Sequence, residues 1–302
     1  MTLDEAIGGT LLLDGGMGTE LERNGCNVRD HLWSARVLLD HPEEIARVHR
    51  SYLEAGAQCL ITASYQISFG GFARAGLTNA DAAHALRLSV EIARKVRDDF
   101  AKERGSHALI AASVGPYGGA LADGSEFHGN YACTYADLIA FHARRMQVLA
   151  SAQPDLLACE TIPSLEEARA ILECLHALPG AKAWFTFSCR DERHISHGEE
   201  LRECARLLHA EPQVVALGVN CTAPKYVASL VREVAAVTSK PIVVYPNSGR
   251  QWDAASRQWI GPSGGAFVQL ANTWREAGAS WIGGCCGTGP EDIARLRNLR
   301  AA

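Results

Sequence analysis

The sequence predicts a single (β/α)8 barrel spanning residues 1–302, on three observations. Short apolar, β-rich runs recur eight times, each followed by loop residues and then a helical pattern. The runs are continuously apolar rather than alternating, as a parallel sheet buried on both faces requires. The 302 residues are also enough for eight βα units, since such barrels typically take about 250. The rival architecture, a doubly wound sheet, wants G-x-G-x-x-G after its first strand. Asp14-Gly15-Gly16-Met17-Gly18 lacks that spacing, and it lacks the Gly-Lys-Ser/Thr of a phosphate-binding loop. No composition shift marks an internal boundary.

In chain order the expected strands are Thr10–Asp14, Cys59–Thr62, Leu109–Ser113, Leu156–Glu160, Ala183–Ser188, Val214–Asn220, Ile242–Tyr245 and Ser280–Gly284. The first connecting helix, Pro42–Ala55, opens on a proline and two acids and stops at Gly56. Apolar residues at helical spacing predict the others: Asn79–Phe100, Tyr135–Ala152, Ser164–Leu178, Glu200–Ala210, Pro224–Val237, Gly264–Ala277 and Pro290–Leu299. Ser164 followed by Glu167 reads as a capping box. The long segments 115–134 and 246–264 carry Gly, Tyr and Trp and read as loops that close over the barrel mouth.

The balance of 47% hydrophobic and 21% charged residues is that of an ordinary globular chain. A net charge of −5, with Lys and Arg scattered among acids, gives no general attraction to nucleic acid or anionic membranes. The N-terminal segment does not read as a secretory signal, and no run approaches the roughly 18 apolar residues a spanning helix needs. A cytoplasmic protein is the expectation. In that reducing setting, clustered cysteines more often bind metal or do chemistry than form disulfides.

Cys221 directly follows the sixth expected strand, and Cys285-Cys286 follow the eighth within Gly-Gly-Cys-Cys-Gly. Barrel strand ends converge on the C-terminal face, so these three can meet although they are far apart in sequence. At a glycine-flanked turn, adjacent cysteines can direct both sulfurs to one ion. Three thiolates suit a soft or borderline ion, Zn2+ above all, and leave a fourth position open as catalytic sites do. The bland alternatives are buried thiols or a redox-active vicinal pair. The remaining cysteines (26, 59, 133, 159, 174, 189 and 204) read as small core hydrophobes. His194 and His197, three apart but with no convergent acid or cysteine, read as polar loop residues.

The stretch Leu11–Glu20, the Gly218-Val219-Asn220-Cys221 element and Gly283–Gly287 resemble the homocysteine S-methyltransferase family across nearly the whole chain. Segments 113–118, 123–127 and 245–249 resemble its stand-alone subgroup that uses S-methylmethionine. The resemblance implies a (β/α)8 barrel and a Zn2+ ion held by Cys221, Cys285 and Cys286 that binds the sulfur of L-homocysteine. It implies a sulfonium donor, S-methylmethionine or S-adenosylmethionine, and methionine as product; related selenols are possible acceptors. By the same resemblance, Asp14 and Glu160 would hold the substrate ammonium, with the backbone N–H groups of Gly15 and Gly16 meeting its carboxylate. Weaker candidates for substrate contact are Thr62, Tyr65, Ser113, Glu126, Asn220 and Asn247. A sulfonium favours aromatic faces, for which Tyr65, Phe69, Tyr117, Phe127 and Trp252 are the expected candidates. Assembly would be a monomer or a small homo-oligomer.

Two other functions compete. A metallohydrolase on the same barrel would want His or carboxylate ligands and a base beside a metal-bound water. A zinc- or redox-responsive binding protein would oxidise the vicinal pair reversibly without turnover.

Overall fold

A computed structural model describes residues 1–28, 34–249, 251–253, 258–260 and 265–297. The strands are β1 (Leu11–Leu12), β2 (Cys59–Ile61), β3 (Leu109–Val114), β4 (Leu156–Ile162), β5 (Ala183–Phe187), β6 (Val214–Asn220), β7 (Ile242–Tyr245), a hairpin β8 (Gln251–Asp253) and β9 (Gln258–Ile260), and β10 (Ala279–Ile282). The hairpin lies apart from the main sheet, whose eight strands run β1-β10-β7-β6-β5-β4-β3-β2. All neighbouring strands are parallel. A bridge between Leu13 and Cys59 closes the ring, supported by Gln58 N–H donating to the Leu12 carbonyl and Asp14 N–H to that of Cys59. This is the expected barrel, with the hairpin as an unexpected insertion in the loop after β7.

Strand alternation splits the core in two. Leu11, Leu13, Cys59, Leu109, Ala111, Leu156, Ala158, Trp184, Val243 and Trp281 fill the barrel interior. The intervening residues, such as Ile110, Ala112, Leu157, Phe185, Val219 and Val244, pack against helix residues including Ile45, Leu86, Ile171 and Val227. Continuous apolar strands follow from this two-sided burial. A short helix, Leu3–Ile7, opens with a full Thr2–Glu5 capping box. It places Ala6 against the interior residues, where the Ala6 carbonyl accepts from Trp281 Nε1 at 3.0 Å. The floor of the barrel is therefore plugged.

Helix Pro42–Ala55 has the expected bounds and ends with Gly56 at φ +103°. Ser164 caps helix Leu165–His176 by accepting from Glu167 N–H, but the expected reciprocal bond is absent. The Glu167 carboxylate turns away to bond His142 at 2.9 Å and the N–H of Tyr117. Several short helices lay outside the expected set: Met17–Arg23, Ser34–Asp40, Phe69–Arg74 and Tyr117–Leu121. Among the described residues no helix is long and apolar enough to cross a membrane. Residues 254–257 and 261–264 of the expected long loop, residues 298–299 of the last expected helix and the Trp252 side chain lie outside what is described.

Candidate metal and substrate site

Inward-facing positions turn polar toward the C-terminal ends of the strands. Ser113 continues the series Leu109, Ala111; Glu160 continues Leu156, Ala158; Thr186 follows Trp184; and Tyr245 follows Val243. These residues, with Asp14, form the floor of the mouth. Above them lie the three cysteines.

Cys221 follows β6 in a left-handed conformation, φ +46°, with its N–H donating to the Tyr245 carbonyl at 3.2 Å. The vicinal pair sits in the turn after β10. Cys285 N–H donates to the Pro246 carbonyl and the Cys286 carbonyl accepts from Ser248 N–H, both at 2.9 Å. The loop after β7 thus holds the turn after β10 in place. Gly287, at φ +79°, lets the chain leave that turn, and its N–H donates to Thr19 Oγ1 at 2.9 Å. A Cβ on Gly16 would stand 2.6 Å from the Cys285 carbonyl oxygen, so only glycine allows this approach.

All three Sγ atoms lie within 4.8 Å of one another, and Cys221 and Cys286 are 3.8 Å apart. Tetrahedral coordination with metal–sulfur bonds of ~2.3 Å puts sulfurs about 3.8 Å apart, so the cluster fits one metal ion. Hydrogen bonding from Cys221 and Cys285 holds the Cys286 thiol well below the usual range. Bonding to Cys285 and Cys286, followed by burial, raises Cys221. A trio that gathers negative charge on one sulfur is prepared for a soft cation.

Carboxylates flank the trio. Asp14 Oδ2 accepts from Ile61 N–H at 2.8 Å, while buried Oδ1 has no partner. Burial pushes Asp14 well above the usual carboxylate range against that bond, and Glu160 adds to the rise. Glu160 is pushed up to about 7 by burial, although it accepts from the Ser113 and Tyr245 hydroxyls; Cys286 adds repulsion. Tyr245 in turn bonds Trp184 Nε1 at 3.0 Å and Thr186 Oγ1 at 2.8 Å. Glu126, raised chiefly by burial, also senses Cys286, and its Oε2 is a second buried acceptor without a partner. Asn247 Oδ1 is a third. Buried acceptors in a folded protein are normally bonded, so three orphans on the elements around one sulfur cluster mark a place for donors from a ligand.

The weaker candidates separate clearly. Burial raises the Tyr65 hydroxyl, and Glu126, Cys221 and Glu160 act on it electrostatically. The Thr62 hydroxyl, by contrast, accepts from Ser113 N–H at 3.1 Å and pairs with Ser64 at 2.7 Å, bracing β2 on β3. Gly16 N–H is taken up by Thr288, at 3.2 Å to Oγ1 and 3.3 Å to the carbonyl, rather than facing a carboxylate; Gly15 has no such commitment to Thr288. The Asn220 amide is spent on Thr161. Of the aromatics, Phe69 carries the Arg144 guanidinium on its face at 3.8 Å, Tyr117 packs on Tyr131 and Phe141, and Phe127 is half exposed. His194 and His197 pair with Asp191 and Glu199. Among the seven other cysteines, Cys59, Cys159, Cys174, Cys189 and Cys204 are buried, whereas Cys26 and Cys133 are half-buried.

Sequence reasoning missed Tyr245, Thr161 and buried Arg145. Arg145 donates to the carbonyls of Ile67, Gly115 and Tyr65, fixing the loops after β2 and β3. Tyr245 was legible, because it continues the inward parity of Val243. Arg145 had no local signal: nothing in a helical pattern says which arginine turns inward.

Residues 11–299 match the family described as homocysteine S-methyltransferase. The chain is 49% identical over 292 residues to the homocysteine S-methyltransferase YbgG of Bacillus subtilis, covering 95% of this chain and 93% of that protein. It is equally similar, 49% over 292 residues, to the homocysteine S-methyltransferase of Escherichia coli, covering 95% and 94%. The metallated form of the E. coli homocysteine methyltransferase MmuM superposes with a TM-score of 0.88 at 46% identity, over 96% of each chain. The chain belongs to the homocysteine S-methyltransferase family.

Proposed function

We propose that the protein transfers a methyl group from a sulfonium donor, S-methylmethionine in preference to S-adenosylmethionine, to L-homocysteine, using Zn2+ held by Cys221, Cys285 and Cys286. The observation that carries this reading is the set of three sulfurs within 4.8 Å at the mouth of the barrel, flanked by buried carboxylates. Methyl transfer to homocysteine, giving methionine, is the family's activity. The bound metal would supply deprotonation of the homocysteine thiol and keep its sulfur a thiolate at neutral pH.

The protein's own groups do the rest. Asp14 Oδ1, unpartnered and buried, and Glu160 accept from the homocysteine ammonium. A bound ammonium stabilises both carboxylates against the burial that otherwise favours their protonation. Gly15 N–H would meet the substrate carboxylate. Glu126 Oε2, Asn247 Oδ1 and Tyr65 receive the donor. Three carboxylates and three thiols give the mouth an acidic character suited to a donor bearing both a sulfonium and an ammonium. Thr62, Ser113 and Asn220 support these groups rather than touch substrate.

As the methyl passes in line from sulfonium sulfur to thiolate sulfur, the donor's positive charge and the acceptor's negative charge vanish together. Both products leave as neutral thioethers, and the thiol proton has already gone to solvent. Orientation and exclusion of water supply the acceleration. The test is methionine formation by zinc-loaded protein from homocysteine with S-methylmethionine, S-adenosylmethionine or betaine, with and without chelator. Chelator-sensitive turnover, fastest with S-methylmethionine, is expected. No turnover with any donor, despite one bound zinc per chain, would reject the reading.

A further inference from the structure

Thr161, directly after Glu160, is a β-branched residue at φ +58°. Left-handed backbone is unfavourable for such a side chain and persists only where surrounding contacts impose it. It also coincides with an irregularity in the ladder: the β4–β5 register shifts between Cys159 and Ile162. One side chain imposes the conformation. Asn220, fully buried at the end of β6, accepts from Thr161 N–H through Oδ1 at 2.7 Å and donates through Nδ2 to Thr161 Oγ1 at 2.8 Å. A backbone N–H can only donate, so the amide has a single orientation here.

We propose that Asn220 and Thr161 form a positioning clasp that sets Glu160 relative to the cysteine trio. The extra residue in β4 keeps Glu160 on the inward parity while turning the chain away immediately after it. Asn220 precedes Cys221, whose own backbone is left-handed, so the clasp ties the first sulfur to the ammonium-binding carboxylate. One buried amide thereby fixes the relative placement of two site groups that arise from different strand ends. Both clasp residues are buried and their side-chain polar atoms bond each other. The inference rests on the reading of the mouth as the methyl-transfer site, and it adds how the ammonium-binding carboxylate and the first sulfur are held in register.

The test compares wild type with Thr161→Val, which keeps the branched shape and loses the hydroxyl, and Thr161→Ser, which keeps the hydroxyl. Metal content, thermal midpoint, kcat and the KM for homocysteine are measured for each. Losing the buried hydrogen bond that aims a substrate-binding group should raise the KM for homocysteine about tenfold in Thr161→Val, at unchanged zinc content, with kcat falling less. Thr161→Ser should stay close to wild type. A merely structural role would lower the midpoint and leave KM alone; a wild-type KM in folded, zinc-loaded Thr161→Val overturns the proposal. Should Thr161→Val not fold, Asn220→Ala takes its place with the same readouts. Should zinc-loaded wild type make no methionine, the functional reading fails separately. Crystal structures of wild type and variant then decide the clasp: a displaced Glu160 side chain supports it, and an unmoved one overturns it.

Discussion

The two ends of the barrel are built from the same strands and do opposite things. At the floor, Leu109, Leu156, Trp184 and Trp281 pack under the Leu3–Ile7 helix, and the Trp281 indole finds its partner in the Ala6 carbonyl. Only two to four residues further along the first three of these strands, Ser113, Glu160 and Thr186, joined by Tyr245 at the end of β7, form a polar layer under three thiols. The floor is built from apolar side chains. The mouth has raised carboxylates, orphan acceptors and two non-glycine residues in left-handed backbone, Thr161 and Cys221. Each such backbone costs of order 1–3 kcal/mol. Apolar packing fills one end, and the thiols and carboxylates proposed to receive a metal and a cationic ligand gather at the other.

The sharpest break in that comparison is Cys286→Ala. Removing one of three thiolates should abolish zinc retention and methionine formation while leaving the thermal midpoint of the metal-free protein near that of metal-free wild type; metal analysis and calorimetry read both. Trp281→Ala should do the reverse. It opens a cavity at the floor and removes the indole bond to the Ala6 carbonyl, costing about 3–5 kcal/mol in denaturant titrations, with the kcat of the folded fraction retained.

Glu160 sharpens the contrast through pH. Its folded value, about 7, lies above the ordinary 4.5, so the folded chain prefers the protonated acid. The Glu160 contribution to the stability of the metal-free protein is fully present below the unfolded value and is lost as pH rises from about 4.5 to 7, about 3 kcal/mol at 1.36 kcal/mol per unit. Asp14, also raised, contributes with the same sign. Glu160→Gln should flatten this slope in calorimetric scans and raise the KM for homocysteine by ten- to a hundredfold, as loss of a charge-assisted hydrogen bond worth ~1.5–3 kcal/mol would. The smallest effect belongs to the buried cysteines away from the mouth. Cys204→Ala should cost about 1 kcal/mol and leave turnover and zinc content at wild-type values.

The barrel was legible because its strands are apolar on both faces and its helices are periodic: β6 and β7 have the expected bounds, as does helix Pro42–Ala55. β1 is shorter than expected because Leu13 reaches its neighbour only by a bridge before the chain turns at Asp14. β4 runs two residues past Glu160, since the clasp at Thr161 lets the strand resume after an irregularity that no propensity encodes. Cys221, Cys285 and Cys286 could be found in the sequence because each follows a strand end, and strand ends converge. Thr62, Gly16 and Asn220 were expected at the ligand. Their polar atoms are instead committed to Ser113, Thr288 and Thr161, a choice made by tertiary packing. The short helices Phe69–Arg74 and Tyr117–Leu121 have too few residues to show a period, and buried Arg145 fixes the loops that carry them into the fold.

The central claim is that three sulfurs from two strand ends hold one metal and leave a position for the sulfur of homocysteine. X-ray absorption at the zinc edge on the zinc-loaded protein, recorded before and after addition of homocysteine, tests it most directly. The account predicts three sulfur neighbours at about 2.3 Å, rising to four when homocysteine is added. A shell dominated by nitrogen and oxygen, or a sulfur count that stays at three on addition, would contradict it.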